Sequence, residues 1–172
     1  VTPSEIRAAK NLDPEAGLLL APATAEDLPA VAELFLRARA AASQMPPLVH
    51  SEEDVRAHVC GWDLDVSGRE LWLARDADGA LRGFVRVEGD WLDDLYVDPA
   101  RQRHGVGSAL LTLVMGLRPR GFGLWVFESN AVARAFYAWH GLLERETTDG
   151  SDNEEGAPDV RMEWCPGGLP TH

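Results

Sequence analysis

Apolar positions along this chain change period several times. Leu28, Val31, Ala32, Phe35 and Ala42 recur at helical spacing, as do Val106, Ala109, Leu110, Leu113, Val114 and Leu117. Between these stretches lie short apolar runs bounded by turn residues, the signature of strands. Gly17 to Ala21 is predicted as a strand stopped by Pro22. Thr24, three residues before Asp27, resembles a capping box and opens a helix to about Ala42, which Met45-Pro46-Pro47 interrupts. Ser51, followed by three acidic residues, caps a second helix to about Trp62. Glu70 to Ala74 and Leu81 to Val87 form a hairpin around Asp76-Ala77-Asp78-Gly79, and Trp91 to Val97 is a further strand ended by Asp98-Pro99.

The remaining elements are a helix from about Gly105 to Leu117 closed by Pro119, a strand from Gly123 to Phe127, and a helix from Ala131 to His140 stopped at Gly141. Leu142 to Thr147 and Val160 to Trp164 are two last strands around a polar loop. Val132, Phe136 and Trp139 form the predicted core stripe of the Ala131 helix, with Tyr137 about 100° around from Phe136. The order β-α-α-β-β-β-α-β-α-β-β predicts a mixed α+β domain with a central sheet of about seven strands and about four helices. Without repeats or an interdomain linker, the reading is one domain over 17–172, preceded by a loosely held arm from Val1 to Ala16.

Composition narrows the partners. The net charge of −12 over 172 residues repels phosphate backbones, so no nucleic-acid partner is expected. No apolar run reaches the roughly 20 residues of a membrane span, so no membrane partner is expected. Two cysteines without Cys-x-x-Cys spacing offer no disulfide framework, and the expected setting is cytoplasmic. No metal is expected either. His58 and Cys60 lie two apart on a predicted helix, hence on different faces, and Asp149 to Glu155 lacks the glycine and glutamate positions of a calcium loop.

Candidate chemistry is concentrated after Trp91. In Leu95-Tyr96-Val97-Asp98-Pro99-Ala100-Arg101-Gln102-Arg103-His104-Gly105-Val106-Gly107-Ser108, a strand ends, a basic loop follows, and an amphipathic helix starts behind two glycines. The first amides of a helix have no internal partners and its dipole favours negative charge, so this is an anion site. Ser108-Ala109 stands where a Walker loop needs Gly-Lys-Ser/Thr, and Leu110 where a dinucleotide fingerprint needs a third glycine. What remains is Gln-x-x-Gly-x-Gly at Gln102, Gly105 and Gly107.

This pattern resembles the pyrophosphate loop of the GNAT superfamily of acyl-CoA-dependent N-acetyltransferases. A second block, Asn130-Ala131-Val132-Ala133-Arg134-Ala135-Phe136-Tyr137-Ala138-Trp139-His140-Gly141-Leu142, matches the superfamily's Asn-x-x-Ala-x-x-Phe-Tyr-x-x-x-Gly-Phe, with Leu142 replacing the usual phenylalanine. The resemblance implies a single GNAT-like domain with a mostly antiparallel sheet, and acetyl-CoA as cosubstrate. It places the cofactor between Asp93 to Val97 and Gly123 to Phe127, strands that splay apart. The pantetheine would pair with the backbone of Leu95 and Val97 beside Tyr96. The pyrophosphate would sit on the loop of Gln102, Arg103, His104, Gly105, Val106, Gly107 and Ser108. Asn130, with Ala133 and Phe136, would flank the pantetheine arm, although Asn130 is equally a helix cap.

By the same resemblance, an amine attacks the thioester directly, the Val97 N–H stabilises the oxyanion, and Tyr137 protonates the departing thiolate. Alternation along Trp91 to Val97 sends Asp94 and Tyr96 to one face and Asp93, Leu95 and Val97 to the other. Asp94 is the base chosen over Asp93, being nearer the expected thioester. The acceptor is a small-molecule or peptide amine, and dimers are common in the superfamily. A non-catalytic acyl-CoA-binding module with the same fold is the alternative.

Overall fold

Antiparallel ladders account for every strand contact but one. The computed structural model describes residues 12–13 and 17–167. Their strands are β1 (Leu12–Asp13), β2 (Leu18–Pro22), β3 (Arg69–Arg75), β4 (Leu81–Glu88), β5 (Trp91–Val97), β6 (Phe122–Phe127), β7 (Leu143–Thr147) and β8 (Asp159–Trp164). They form one sheet in the order β1-β2-β3-β4-β5-β6-β8-β7. The helices are α1 (Leu28–Ala41), α2 (Glu52–Cys60), α3 (Val106–Leu117) and α4 (Ala131–Trp139). The seven expected strands and four helices are all present. β1 is an added two-residue pairing against Leu18 and Leu19 within the expected arm, whose other residues lie outside those described. Residues 168–172 of the expected domain also lie outside them.

Local chemistry explains the element ends. Asp27 accepts hydrogen bonds from the Thr24 N–H at 2.8 Å and its hydroxyl at 3.1 Å, and a 3₁₀ turn over Ala25–Asp27 precedes α1. The Ser51 hydroxyl accepts from the Asp54 N–H at 3.1 Å at the start of α2. Asp76 closes the β3–β4 turn by accepting from the amides of Asp78 and Ala80.

Two apolar layers sandwich the sheet. On one face α3 and α4 cover Val85, Val87, Leu92, Leu124, Val126, Val160 and Met162. On the other, α1 and α2 cover Leu71, Leu73 and Phe84. Strand β7, exposed along its whole length, is an edge guarded by charge. Arg145 pairs with Glu163 of β8, and Arg161 of β8 with Glu146.

Two expectations are corrected. In α4, Val132 is 63% exposed and Trp139 82%, so Val132-Phe136-Trp139 is not the core stripe. The inward face carries Ala133, Phe136 and Tyr137, offsets of three and four, because a nine-residue helix can seat only one such face on the sheet. In β5 the alternation is broken: Leu92 pairs with Val87 and Asp94 with Arg86, leaving Asp93 as the extra residue of a β-bulge. The bulge resets the faces. Leu92 now joins Leu95 and Val97 in the layer under α3, while Asp93 and Asp94 both turn toward Arg86.

Candidate active site

The exceptional junction is β5–β6. It is the sheet's parallel contact and consists of one registered pair, Trp91 with Gly123. Beyond that pair the strands diverge toward their C-terminal ends. The Asp98 N–H bonds the Arg82 carbonyl at 2.8 Å, which fixes the phase of the β4–β5 ladder. Antiparallel alternation then turns the backbone N–H and C=O of Leu95 and Val97 away from β4, into the gap. An edge of unpaired backbone groups inside a domain is a place for an extended ligand to add itself as a strand.

A cleft of about 580 Å³ runs from that gap to the start of α3, lined by Leu95, Val97, Arg103, Gly105, Gly107 and Phe136, with Tyr96, Gln102, Ser108, Asn130 and Ala133 also on its wall. Gly105 has φ 81° and stands as the cap residue of α3, a conformation suited to glycine. Arg103 has φ 64° and is the non-glycine residue with positive φ among the described residues. Two left-handed residues so close together fold the loop into a concavity of backbone N–H groups at a helix N-terminus, a geometry that favours an anion. At Gly107 an added Cβ would lie 3.3 Å from the Phe136 ring and 3.6 Å from Val97, so the helix approaches the cleft wall closely there. His104 and Val106 do not line the cleft. The His104 ring is folded back, its Nδ1 2.8 Å from the Gln102 carbonyl oxygen, and Val106 is buried in the core.

The left-handed Arg103 yields a prediction. Arg103→Gly relieves about 1 kcal/mol of strain but adds a similar entropy loss on folding. Thermal unfolding of the variant should shift by no more than a few degrees. Calorimetry should show weaker binding of coenzyme A.

A second cavity, of about 320 Å³, opens on the other side of the gap and shares Met45, Leu95, Tyr96, Asn130 and Ala133 with the cleft. Tyr137 and both aspartates line it. Tyr137 is only 7% exposed, and no hydrogen bond among the described residues holds its hydroxyl. Burial raises its pKa well above the usual phenol range, with Tyr96 and Asp94 adding to the effect. Burial does the same to Tyr96. A phenol so placed keeps its proton at neutral pH and can present it to an anion that develops beside it.

Arg86 organises the carboxylates. Its Nε donates to Asp94 at 2.7 Å, and it stands 3.6 Å from Asp93. Asp94 is thereby tied down, whereas Asp93 is partly solvated. Burial nevertheless pushes the Asp93 carboxyl above its ordinary range, an effect that Arg86 partly offsets. Asn130 accepts from the Ala133 N–H at 3.2 Å, so its capping role is realised while it also lines both cavities.

Several participants escape a reading of the sequence alone. Arg86 is one, although its place opposite Asp94 could have been read from the β4–β5 hairpin register had the bulge been foreseen. Arg39 is another: it is buried, donates to the Pro46 carbonyl at 3.1 Å, and lies 3.9 Å from Glu155. Gln44 is a third; its carbonyl accepts from the Ser129 hydroxyl at 2.6 Å, pinning the α1–α2 loop across the mouth of the gap. The fourth is His140, whose Nε2 is 3.0 Å from the Ser108 hydroxyl and whose Nδ1 is 2.9 Å from the Phe136 carbonyl oxygen. That carbonyl can only accept, so Nδ1 carries a proton and donates to it. No group of three potential metal ligands occurs among the described residues, and none of their helices is long and apolar enough to cross a membrane.

Comparison with known proteins bears on this geometry. Residues 32–142 match the family model described as Acetyltransferase (GNAT) family. The chain is 40% identical over 137 residues to a mycothiol acetyltransferase of Clavibacter michiganensis, covering 71% of this chain and 41% of that protein. A mycothiol acetyltransferase of Geodermatophilus obscurus is 43% identical over 83 residues, 45% of this chain and 25% of that one. The chain thus spans less than half the length of these curated relatives. Among solved structures, Escherichia coli YjaB in its apo form superposes with a TM-score of 0.70 at 19% identity, covering 86% of this chain and 97% of that one. The PaiA N-acetyltransferase of Thermoplasma acidophilum in complex with coenzyme A gives 0.67 at 21% identity, with coverages of 86% and 98%.

Proposed function

This chain belongs to the GNAT family of acetyltransferases, and on that footing we propose that it transfers an acetyl group from acetyl-CoA to a primary amine within a ternary complex. The observation that carries the reading is the joining of two cavities at the β5–β6 gap. One cavity is walled by an anion-binding helix start, the other by a buried phenol and two carboxylates, and Leu95 and Tyr96 line both. A module that only held the cofactor would have no use for the second set. The cytosolic setting belongs to the same proposal, supported by the unpaired, exposed Cys60 and Cys165.

The cofactor's fit rests on the open N–H groups of the Arg103 to Ser108 loop for its diphosphate and on the backbone of Leu95 and Val97 for its amide-bearing arm. Bound there, it supplies a thioester. The chain's own groups do the rest. Leu95 lines both cavities and Val97 only the cleft, so the Leu95 N–H is the better-placed oxyanion donor. Asp93 is the better proton acceptor, since Asp94 is engaged by Arg86 at 2.7 Å. As the amine nitrogen bonds the acyl carbon and the C–S bond breaks, the ammonium proton passes to Asp93, directly or through water. The Tyr137 hydroxyl gives its proton to the thiolate and regains one from Asp93 through water, so that the proton lost by the amine ends on the thiol.

The test is thiol release from acetyl-CoA against a panel of primary amines. Saturable, amine-dependent release supports the proposal; cofactor binding without turnover of any amine contradicts it. The base assignment has its own check. Because Asp93 titrates above the ordinary carboxylate range, wild-type kcat should fall on acidification through that raised pKa, where Asp93 gains its proton and stops acting as a base. Asp93→Asn should lose this limb and about tenfold in kcat, with Asp94 left as a poorer substitute. Asp94→Asn keeping both the wild-type rate and the acidic limb would support Asp93, whereas an unchanged rate and limb in Asp93→Asn would return the role to Asp94.

A further inference from the structure

The second cavity is anionic on two opposite walls. Asp93 and Asp94 stand on β5, while Asp159 at the start of β8 and Glu155 in the loop before it stand across from them. Only two guanidiniums answer these four carboxylates. Arg86 is shared by Asp93 and Asp94, and Arg39 faces Glu155 at 3.9 Å. Asp159 has no cationic partner among the described residues. It is oriented instead by neutral donors, the Thr148 hydroxyl and the Asn153 side-chain amide, the latter at 3.2 Å.

Between the walls the floor is aromatic. Trp125 and Phe127 project from β6 to the same face as their cross-strand partners Arg161 and Asp159, and both line the cavity. Trp125 is 45% exposed, and its ring lies parallel to that of Trp91, with centroids 6.4 Å apart and planes 4° apart. Gly123 makes this possible, since a Cβ there would meet the Trp91 ring at 2.9 Å. The nearby Arg161 is taken up by Glu146 and Glu163, so it does not cancel the free carboxylate. A separate observation marks the cavity as a ligand site: Tyr137, only 7% exposed, lines it, and its hydroxyl has no partner among the described residues.

We propose that the acceptor is a polycation, a diamine or longer polyamine. Its reacting nitrogen meets the β5 wall, and its second cationic centre is held by Asp159 beside the Trp125 ring. This rests on the amine-acetylation reading and specifies its substrate. A carboxylate and an indole face both attract an ammonium group. The walls are two strand spacings apart, about 10 Å at the backbone and more where β5 and β6 diverge. With side chains reaching inward from both, a chain of about five carbons matches the interval.

The experiment compares kcat/KM of the full chain, with saturating acetyl-CoA, for 1,5-diaminopentane, n-pentylamine and 5-amino-1-pentanol. The diamine should exceed both monoamines by roughly thirtyfold, far above the statistical factor of about two from its two equivalent ends. Asp159→Asn should cut that selectivity about tenfold, and so should Trp125→Leu, which leaves the β8 loop untouched should Asp159→Asn perturb its folding. A diamine preference near two, with the monoamines turned over, overturns the polycation and leaves amine acetylation standing. An amino alcohol as good as the diamine does the same. If no amine is turned over although acetyl-CoA binds, both readings fall together.

Discussion

Placing glutamate at Gly107 should weaken acetyl-CoA binding roughly a thousandfold. The position lies in the first turn of α3, where helix amides and the left-handed Gly105 and Arg103 shape the concavity proposed to hold the diphosphate. A carboxylate beside a diphosphate adds like-charge repulsion in a half-desolvated cleft, worth several kcal/mol at short range. The added carbon also meets the Phe136 ring at 3.3 Å, so part of the loss could come from displaced packing. Gly107→Ala separates the two causes, since it carries the contact without the charge and should lose only a few-fold. Calorimetry on both variants, with circular dichroism to confirm folding, is the measurement. Equal losses in the two would mean that packing alone is responsible and that the anion site lies elsewhere.

Removing one oxygen from Tyr137 should lower kcat about a hundredfold. Tyr137→Phe keeps the ring that packs against Phe136 and deletes only the hydroxyl, which no protein group among the described residues holds. Stability should change little, because the deleted hydroxyl has no hydrogen bond among the described residues to lose. Turnover should fall by the amount typical of losing one general acid, while cofactor affinity stays near wild type. The basic limb of the rate profile gives a further readout. Burial holds the phenol well above its usual pKa, so wild-type activity should persist into alkali beyond the range of an ordinary tyrosine. Turnover near wild type in the phenylalanine variant would make Tyr137 a packing residue.

Much of this was legible in the sequence because it rests on local rules. The Ser51 cap, the Asp76 to Gly79 turn, the apolar period of α3 and the glycines before it each depend on residues a few positions apart. The lining of the candidate site was legible where motif and element coincide, at Gln102, Arg103, Gly105, Gly107 and Ser108 and at Asn130, Ala133, Phe136 and Tyr137. What was not legible depends on register and on partners distant in sequence. A single extra residue in β5 moved Asp93 to the face of Asp94, and strict alternation cannot foresee a bulge. The inward face of α4 was misread because Val132 and Trp139 are apolar yet face solvent, and hydrophobicity alone does not orient a short helix. Arg39 and Glu155 stand 116 positions apart, and only the fold brings them together.

The β5–β6 junction also has a dynamic consequence. Interior strands usually hold their amides in ladders on both sides, so those protons exchange with solvent only in rare, large openings. Leu95 and Val97 sit near the centre of the sheet but lack a ladder on the β6 side. Their amide protons should therefore exchange as rapidly as those of an edge strand, while their neighbours Tyr96 and Asp94, bonded to β4, exchange slowly. Occupation of the gap by an extended ligand would erase this alternation, slowing two protons selectively and leaving the rest of β5 unchanged. The middle of the sheet would then record, one residue at a time, whether the cleft is filled.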